Sequence, residues 1–151
     1  MDPVGGWVRA LATVGIVLVS DQASKLLVTS SLGRGESVNV FFGLDLTNTR
    51  NTGVAFGALQ GSGAIVGALI GVVLVVLIGY FAVNVTREWL WLPVGMLLGG
   101  AVGNLVDRVR EGAVIDFIDP AAWPAFNLAD TAIVLGVGIL LYVLEVSPGR
   151  R

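Results

Sequence analysis

Ionisable side chains within apolar stretches are the residues of this sequence that could do chemistry. Asp21 and Lys25 interrupt one apolar segment. Asp116 lies in a run of valine, isoleucine and phenylalanine, and Asp130 lies near the start of another apolar segment. The sequence contains no cysteine and no histidine, which excludes thiol nucleophiles, Ser–His pairs and the usual zinc ligand sets. Proton transfer near neutral pH must therefore use carboxylates, lysine or tyrosine.

Asp116 and Asp130 could form an acid pair if the fold brings them to one site. Two close carboxylates cannot both ionise cheaply, so they share a proton. One acid can then deprotonate a water molecule while the other protonates a carbonyl oxygen, which hydrolyses a peptide bond. Each acid also has a simpler interpretation: Asp130 in a capping box with Asn127 as N-cap, and Asp116 as a solvated loop acid.

Asp21 and Lys25 are four residues apart and therefore share one helix face. They could be a self-neutralising pair at the end of a span, with Lys25 reaching to the headgroups. Asn104 and Arg108 have the same spacing. Asn104 could form a hydrogen bond between helices, and Arg108 could anchor the helix at the membrane interface.

The composition indicates that these side chains are held by apolar, membrane-embedded segments. Of 151 residues, 55% are hydrophobic and only 13% are charged, about half the charged share of a soluble domain. The mean hydropathy is +0.85. These values predict a single domain that is embedded in a lipid bilayer. The net charge of −2 argues against nucleic acid as a partner, because phosphate binding requires a basic surface.

Four segments are expected to cross a membrane, at approximately 8–30, 63–83, 89–107 and 126–146. A span needs roughly 20 apolar residues, and ionisable residues within spans usually face the bundle interior. A cleaved signal peptide is an alternative for the first segment, but Asp21 and Gln22 lie where its cleavage site should be. Arginines flank both ends of the spans, so the positive-inside rule does not fix the orientation.

Two long connections, 33–62 and 108–125, are expected on the same membrane face. Alternating side chains at 37–40 and 44–47 predict short strands. Glycines at four-residue spacing could allow close helix packing, or they could be ordinary membrane glycines. The pairs are Gly67 and Gly71, Gly95 and Gly99, and Gly99 and Gly103.

Five motifs in the sequence resemble, in order, those of bacterial lipoprotein signal peptidase (signal peptidase II). They extend from the first expected span to the last. The motifs are DQASK at 21–25, NTGVAFG at 51–57, GGAVGNLVDR at 99–108, GAVIDF at 112–117 and FNLAD at 126–130.

This resemblance implies an all-α integral membrane fold with four transmembrane helices and both termini in the cytoplasm. It also implies a small extracytoplasmic β-cradle at approximately 33–62 and a small extracytoplasmic helix. Asp116 and Asp130 would be the catalytic pair. The residues implied to line or support the site are Asn51, Gly103, Asn104, Arg108 and Asn127, with Asp21 and Lys25 as a structural pair near it.

The implied substrate is a prolipoprotein whose lipobox cysteine carries diacylglycerol, cleaved just before that cysteine. We expect no cofactor, no metal and no nucleic-acid partner, and we expect a monomer in contact with membrane lipid. The expected location is the bacterial cytoplasmic (inner) membrane, with the active site near the extracytoplasmic face and with sensitivity to globomycin, a cyclic peptide antibiotic that blocks this family.

Two other functions remain open from the residues alone. A small proton-coupled transporter could use Asp21, Lys25 and Asp130 as intramembrane relay groups, although it predicts acids near the middle of spans. A Ser–Lys protease could use Lys25 as its base, with a serine brought to it by the tertiary structure.

Overall fold

A computed structural model describes residues 2–53 and 63–146 of the chain. Within these residues the fold is mostly helical with one small antiparallel sheet, as the sequence predicts. The elements are α1 (Pro3–Ser31), β1 (Ser37–Phe41), β2 (Leu44–Asn51), α2 (Gly63–Val83), α3 (Trp91–Glu111), β3 (Val114–Pro120) and α4 (Leu128–Val146).

Two of these helices, α1 and α4, are long and apolar enough to cross a membrane by length and composition. Helix α2 contains a shorter apolar stretch, Ala68–Val83. Large apolar side chains face outward on all three helices, for example Ile16, Val75 and Leu141. Such continuous apolar exposure is rare in water-soluble proteins and is typical of helices in contact with lipid.

Helix α3 lies at the centre of the bundle and packs against α1, α2, α4 and β3. Its glycines permit this packing. A Cβ at Gly95 would lie 2.8 Å from the carbonyl oxygen of Ala10 in α1, and one at Gly100 would lie 2.5 Å from that of Ala129 in α4. The close packing predicted from the glycine spacing is thus confirmed along α3. At Gly71 a Cβ would meet none of the described residues within 4 Å, which fits the other interpretation, an ordinary membrane glycine.

The three strands form one antiparallel sheet in the order β1–β2–β3. The two strands predicted at 37–40 and 44–47 are confirmed as parts of β1 and β2. Strand β3 begins after Gly112, which ends α3 in the left-handed conformation, and Val114 at its start pairs with Asn51. The remainder of the expected cradle, 54–62, lies outside the described residues, and the described connections contain no additional short helix.

The apolar core and the polar residues occupy opposite ends of the bundle. Phe81, Leu90 and Val143 are among the buried core residues near the 84–90 turn. At that end, Arg87 donates hydrogen bonds to the carbonyl oxygens of Val143 and Leu144 at the last turn of α4. Apolar packing therefore holds one end of the bundle, while the sheet and the buried polar side chains occupy the other.

Substituting Gly100 with alanine should destabilise the protein. The new methyl group would meet the Ala129 backbone, which cannot move without displacing α4, so we expect a loss of about 1–3 kcal/mol in unfolding free energy. Thermal unfolding in detergent measures this loss. The matched control is Gly138→Ala on α4, where no described atom lies within 4 Å and alanine should be neutral or stabilising. Equal melting temperatures for the two variants would contradict the packing argument.

Candidate active site

The two aspartates of the predicted pair lie on neighbouring elements at the polar end of the bundle. Asp116 is the third residue of β3, and Asp130 is in the first turn of α4. The isolated bridge between Ile118 and Phe126 turns the chain back from β3 toward the start of α4. This return brings the two acids into a single polar cluster.

Two asparagine side chains connect the two carboxylates. Asn127 Nδ2 donates to Asp116 Oδ1 at 2.8 Å and to Asn104 Oδ1 at 3.1 Å. Asn104 Nδ2 in turn donates to Asp130 Oδ1 at 2.8 Å. Because each amide can both donate and accept, the pair forms a continuous hydrogen-bonded path from one aspartate to the other.

Asp116 is buried, with 2% of its surface exposed. Its Oδ2 accepts a hydrogen bond from Asn51 Nδ2 at 3.0 Å. Burial raises the pKa of Asp116 to about 6; the hydrogen bond from Asn51 opposes this rise, and the nearby charge of Asp130 adds to it. The interpretation of Asp116 as a solvated loop acid is therefore wrong.

Asp130 forms the capping box that the sequence suggests. Asn127 Oδ1 accepts a hydrogen bond from the Asp130 backbone N–H at 2.9 Å, and Asp130 Oδ2 accepts one from the Asn127 N–H at 3.4 Å. The other oxygen of Asp130 binds Asn104. Because an ionised carboxylate can accept about four hydrogen bonds, capping leaves Asp130 able to bind a further donor.

A cavity of about 650 Å³ lies beside this cluster, a size suited to a small ligand or an extended peptide segment. Its wall is mostly apolar and includes Trp123, Phe126 and Ile133. The polar residues on the wall are Asn51, Asn104, Arg108, Asp130 and Thr131. Asp116 is behind this wall and bonds to Asn51, so Asp130 is the acid that is directly accessible from the cavity.

Arg108 is half-buried and connects α3 to the end of β2. Its guanidinium donates to the carbonyl oxygen of Gly53 at 3.1 Å and to that of Asn104 at 3.4 Å. An arginine that only anchored the helix in the headgroups would point away from the bundle. Arg108 instead contributes a positive charge to the cavity wall near the two acids.

The ion pair expected between Asp21 and Lys25 is confirmed, but the expectation that Lys25 extends to the lipid headgroups is wrong. Both are buried, and they form an ion pair at 2.7 Å. Gly103 does not line the cavity: a Cβ there would lie 2.7 Å from Asp21 Oδ2, so this glycine supplies space for the carboxylate.

Asp107 is a member of this polar cluster that the sequence reasoning missed. It is buried and lies 2.7 Å from the Lys25 ammonium. An acid beside an arginine at the end of an apolar run looks like an interfacial charge. The available signal was its helical spacing, because Asp107 follows Gly103 and Asn104 by one turn and therefore shares their face.

The contacts of Lys25 do not support the Ser–Lys alternative. Its ammonium is held by Asp21 and Asp107, and the hydroxyl of the adjacent Ser24 donates to the Ser20 carbonyl oxygen at 2.7 Å. Within residues 2–53 and 63–146, no group of three or more Asp, Glu, His or Cys side chains is arranged to hold a metal ion. The acid pair is the group in the described chain best placed for hydrolysis.

Comparisons with known proteins agree with this chemistry. A family model described as signal peptidase (SPase) II matches residues 13–145. A lipoprotein signal peptidase of Moorella thermoacetica is 41% identical over 140 residues, covering 90% of this chain and 92% of the relative. A lipoprotein signal peptidase of Caulobacter vibrioides is 40% identical, covering 90% of this chain and 85% of that protein.

The fold is similar to solved structures as well. A bacterial membrane enzyme determined by the in meso method at 2.3 Å resolution superposes with a TM-score of 0.82 and 29% identity. The match covers 94% of this chain and 91% of that one. A second such structure, at 1.9 Å, gives a TM-score of 0.81.

The pH dependence of stability should change in Asp116→Asn. The pKa of Asp116 in the folded protein, about 6, is above its ordinary value of 3.8. The stabilisation from binding this proton is therefore complete below pH 3.8 and is lost as the pH rises through 6. Asparagine does not ionise, so the unfolding free energy of the variant should rise relative to the parent between pH 4 and 7, by at most about 3 kcal/mol.

Thermal unfolding in detergent at several pH values between 4 and 7 tests this. The matched control is Asp119→Asn, three residues along β3 and outside the cluster. A difference between Asp116→Asn and the parent that stays constant across the range would contradict the burial argument.

Proposed function

The chain belongs to the signal peptidase II family, and on that premise we propose that it is a membrane aspartic endopeptidase that removes signal peptides from prolipoproteins. Asp116 and Asp130 are its catalytic acids. The observation that carries this assignment is the Asn127–Asn104 bridge, which joins the two carboxylates beside a cavity of about 650 Å³.

The two acids have different surroundings, and these suit different roles. Asp116 is buried with a pKa raised to about 6, so it holds a proton at mildly acidic pH. Asp130 reaches the cavity wall and is placed to activate a water molecule. Unequal environments of this kind separate the acid from the base in other two-carboxylate enzymes.

The reaction then needs only these two groups and water. Asp130 takes a proton from water as the water oxygen attacks the scissile carbonyl carbon. Asp116, whose Oδ2 is covered by Asn51, gives its proton to the carbonyl oxygen once the Asn51 side chain turns to bind the substrate. The resulting tetrahedral intermediate collapses when Asp130 transfers its proton to the leaving nitrogen and Asp116 recovers one from the hydroxyl group. The cycle ends with the same single proton on the pair.

The cavity walls suit a substrate with a polar backbone and an apolar attachment. Asn51, Asn104 and Arg108 can bind peptide groups, and side chains of α4 such as Ile133 and Val134 form an apolar surface beside them. The proposed scissile bond lies just before a cysteine that carries diacylglycerol. A lipid-modified substrate partitions into the bilayer, so its scissile bond lies near the surface, at the depth of an acid in the first turn of a span.

The proposed membrane arrangement combines the family membership with the lengths of the helices. We propose that all four helices cross the bilayer in a single domain, with both termini in the cytoplasm and the sheet on the extracytoplasmic face of the bacterial inner membrane. Helices α2 and α3 have 21 residues each, which matches the bilayer core. The chain is proposed to act as a monomer.

The acids do not favour the transporter alternative. Of the three groups that a relay would use, Asp130 lies in the first turn of α4 and not near the middle of a span. Asp21 and Lys25 lie within α1, but they are held in one ion cluster with Asp107.

Asp116→Asn and Asp130→Asn should each abolish peptide cleavage while the protein still inserts and folds. Each variant loses one proton-transfer step, and a general acid or base typically contributes about 10²–10⁴-fold to the rate. The measurement is cleavage of a lipidated prolipoprotein by purified protein in detergent. Asp119→Asn is the control acid on the same strand and should retain activity. Near-normal turnover by either dyad variant would refute the assignment.

The substrate class has its own test. The purified enzyme should cleave a prolipoprotein that carries diacylglycerol on its lipobox cysteine, and should leave the matched unlipidated protein largely intact. Globomycin should block the cleavage. Equal cleavage of both substrates would show that the apolar wall does not select the lipid.

A further inference from the structure

Lys25 carries a positive charge inside the helix bundle that the proposed chemistry does not use. Its side chain is 2% exposed, and its ammonium lies 2.7 Å from both Asp21 and Asp107. Asn104 Oδ1 accepts a third hydrogen bond from it at 3.3 Å. Buried ion clusters seldom add net stability over apolar side chains of similar size. A contribution to packing is therefore not enough to explain this one.

Asp21 ties the cluster to the start of α4. Its Oδ1 accepts a hydrogen bond from the backbone N–H of Ala129 at 3.0 Å, while its Oδ2 binds Lys25. Ala129 immediately precedes Asp130, and its N–H is one of the helix N-terminal donors that lack a partner within the helix. The small volume of Gly103 makes this contact possible, because a Cβ there would lie 2.7 Å from Asp21 Oδ2.

Asp107 makes the same kind of connection to β3. Its Oδ2 accepts a hydrogen bond from the backbone N–H of Ile115 at 3.1 Å and lies 2.7 Å from Lys25. Ile115 immediately precedes Asp116. The other oxygen of Asp107 accepts a hydrogen bond from Gln22 Nε2 at 2.9 Å. All of these neighbours are donors, so an asparagine at 107 would turn its own N–H groups toward one of them.

The geometry points to the Asp21–Lys25–Asp107 cluster as a device that sets the separation of the two catalytic acids. One ammonium holds two carboxylates, and each carboxylate holds the backbone one residue before an acid of the dyad. These three are positioning residues, since none of them lines the cavity. The inference rests on the proposed function, because it assumes that Asp116 and Asp130 act together.

This arrangement has a physical advantage for a two-carboxylate mechanism. The acids must stand on opposite sides of one water molecule, and a displacement of about 1 Å can cost about 100-fold in rate. Asp116 and Asp130 are on separate elements, so their separation depends on how β3 sits against α4. Charge-assisted hydrogen bonds from one rigid cluster fix both elements to α1 and α3.

Asp107→Asn should lower kcat by about 10–100-fold while KM for lipidated prolipoprotein stays within about twofold. The substitution keeps the size of the side chain and leaves Lys25 paired with Asp21, but it weakens the hold on Ile115. Rates are divided by the concentration of sites titrated with globomycin, so that only folded enzyme is counted. The matched control is Glu111→Gln, one turn further along α3. Its carboxylate pairs with Arg34 and Arg50 and not with Lys25, so the substitution should leave kcat per site unchanged.

A purely structural role for the cluster predicts a different result. The variant would then show fewer titratable sites or a lower melting temperature, with normal kcat for each remaining site. That outcome overturns the inference. If Asp107→Asn does not accumulate, Asp107→Glu keeps the charge but lengthens the side chain by one methylene. It should still lower kcat per site about 10-fold, and a normal value would also overturn the inference.

Failure of this inference can be told apart from failure of the proposed function. Asp116→Asn is measured in the same titrated assay. If Asp116→Asn turns over normally, the dyad itself is wrong and the positioning argument falls with it. If Asp116→Asn is inactive and both Asp107 variants have normal kcat per site, the dyad stands and only the positioning inference is overturned.

Discussion

The buried ammonium of Lys25 is the interaction around which the polar end of this protein is organised. A lysine placed in an apolar bundle must find carboxylates or lose its charge, and here it is flanked by Asp21 and Asp107. Those carboxylates bring together α1 and α3, and their remaining hydrogen bonds reach α4 and β3. The groups that stabilise the lysine charge therefore also link α1, α3, α4 and β3. A site with two acids on separate elements needs such a link.

Close helix packing makes that charge cluster possible. Helix α3 can lie against both α1 and α4 because glycine faces them at the crossing points, including Gly95 against α1 and Gly100 against α4. At Gly103 the space that glycine leaves is filled by the Asp21 carboxylate. In lipid there is little hydrophobic force between helices, so van der Waals contact and hydrogen bonds supply the association. Small residues and buried polar groups therefore act together along one helix.

The two acids of the site show how structural and chemical roles can coincide. Asp130 closes a capping box with Asn127, and the same asparagine bonds to Asp116 and Asn104. The helix cap therefore holds Asp130 in place without using all of its acceptor capacity. From sequence spacing, capping residue and site residue are alternative roles for Asp130. In the folded protein Asp130 is placed to fill both.

The sequence by itself predicted the apolar helices, the strands of the hairpin and the family, and it offered the capping box at Asn127 as one interpretation of Asp130. These features depend on residues within a turn or a strand of each other or on motifs of contiguous residues. The sequence also identified Asp116 and Asp130 as candidates through the absence of histidine and cysteine. Only the tertiary structure decided that Asp116 is buried, that Lys25 turns inward and that Asp107 joins it. Such contacts join residues as far apart as the 108 positions between Asp21 and Ala129, and they are set by how helices cross. Local periodicity does not encode those crossings.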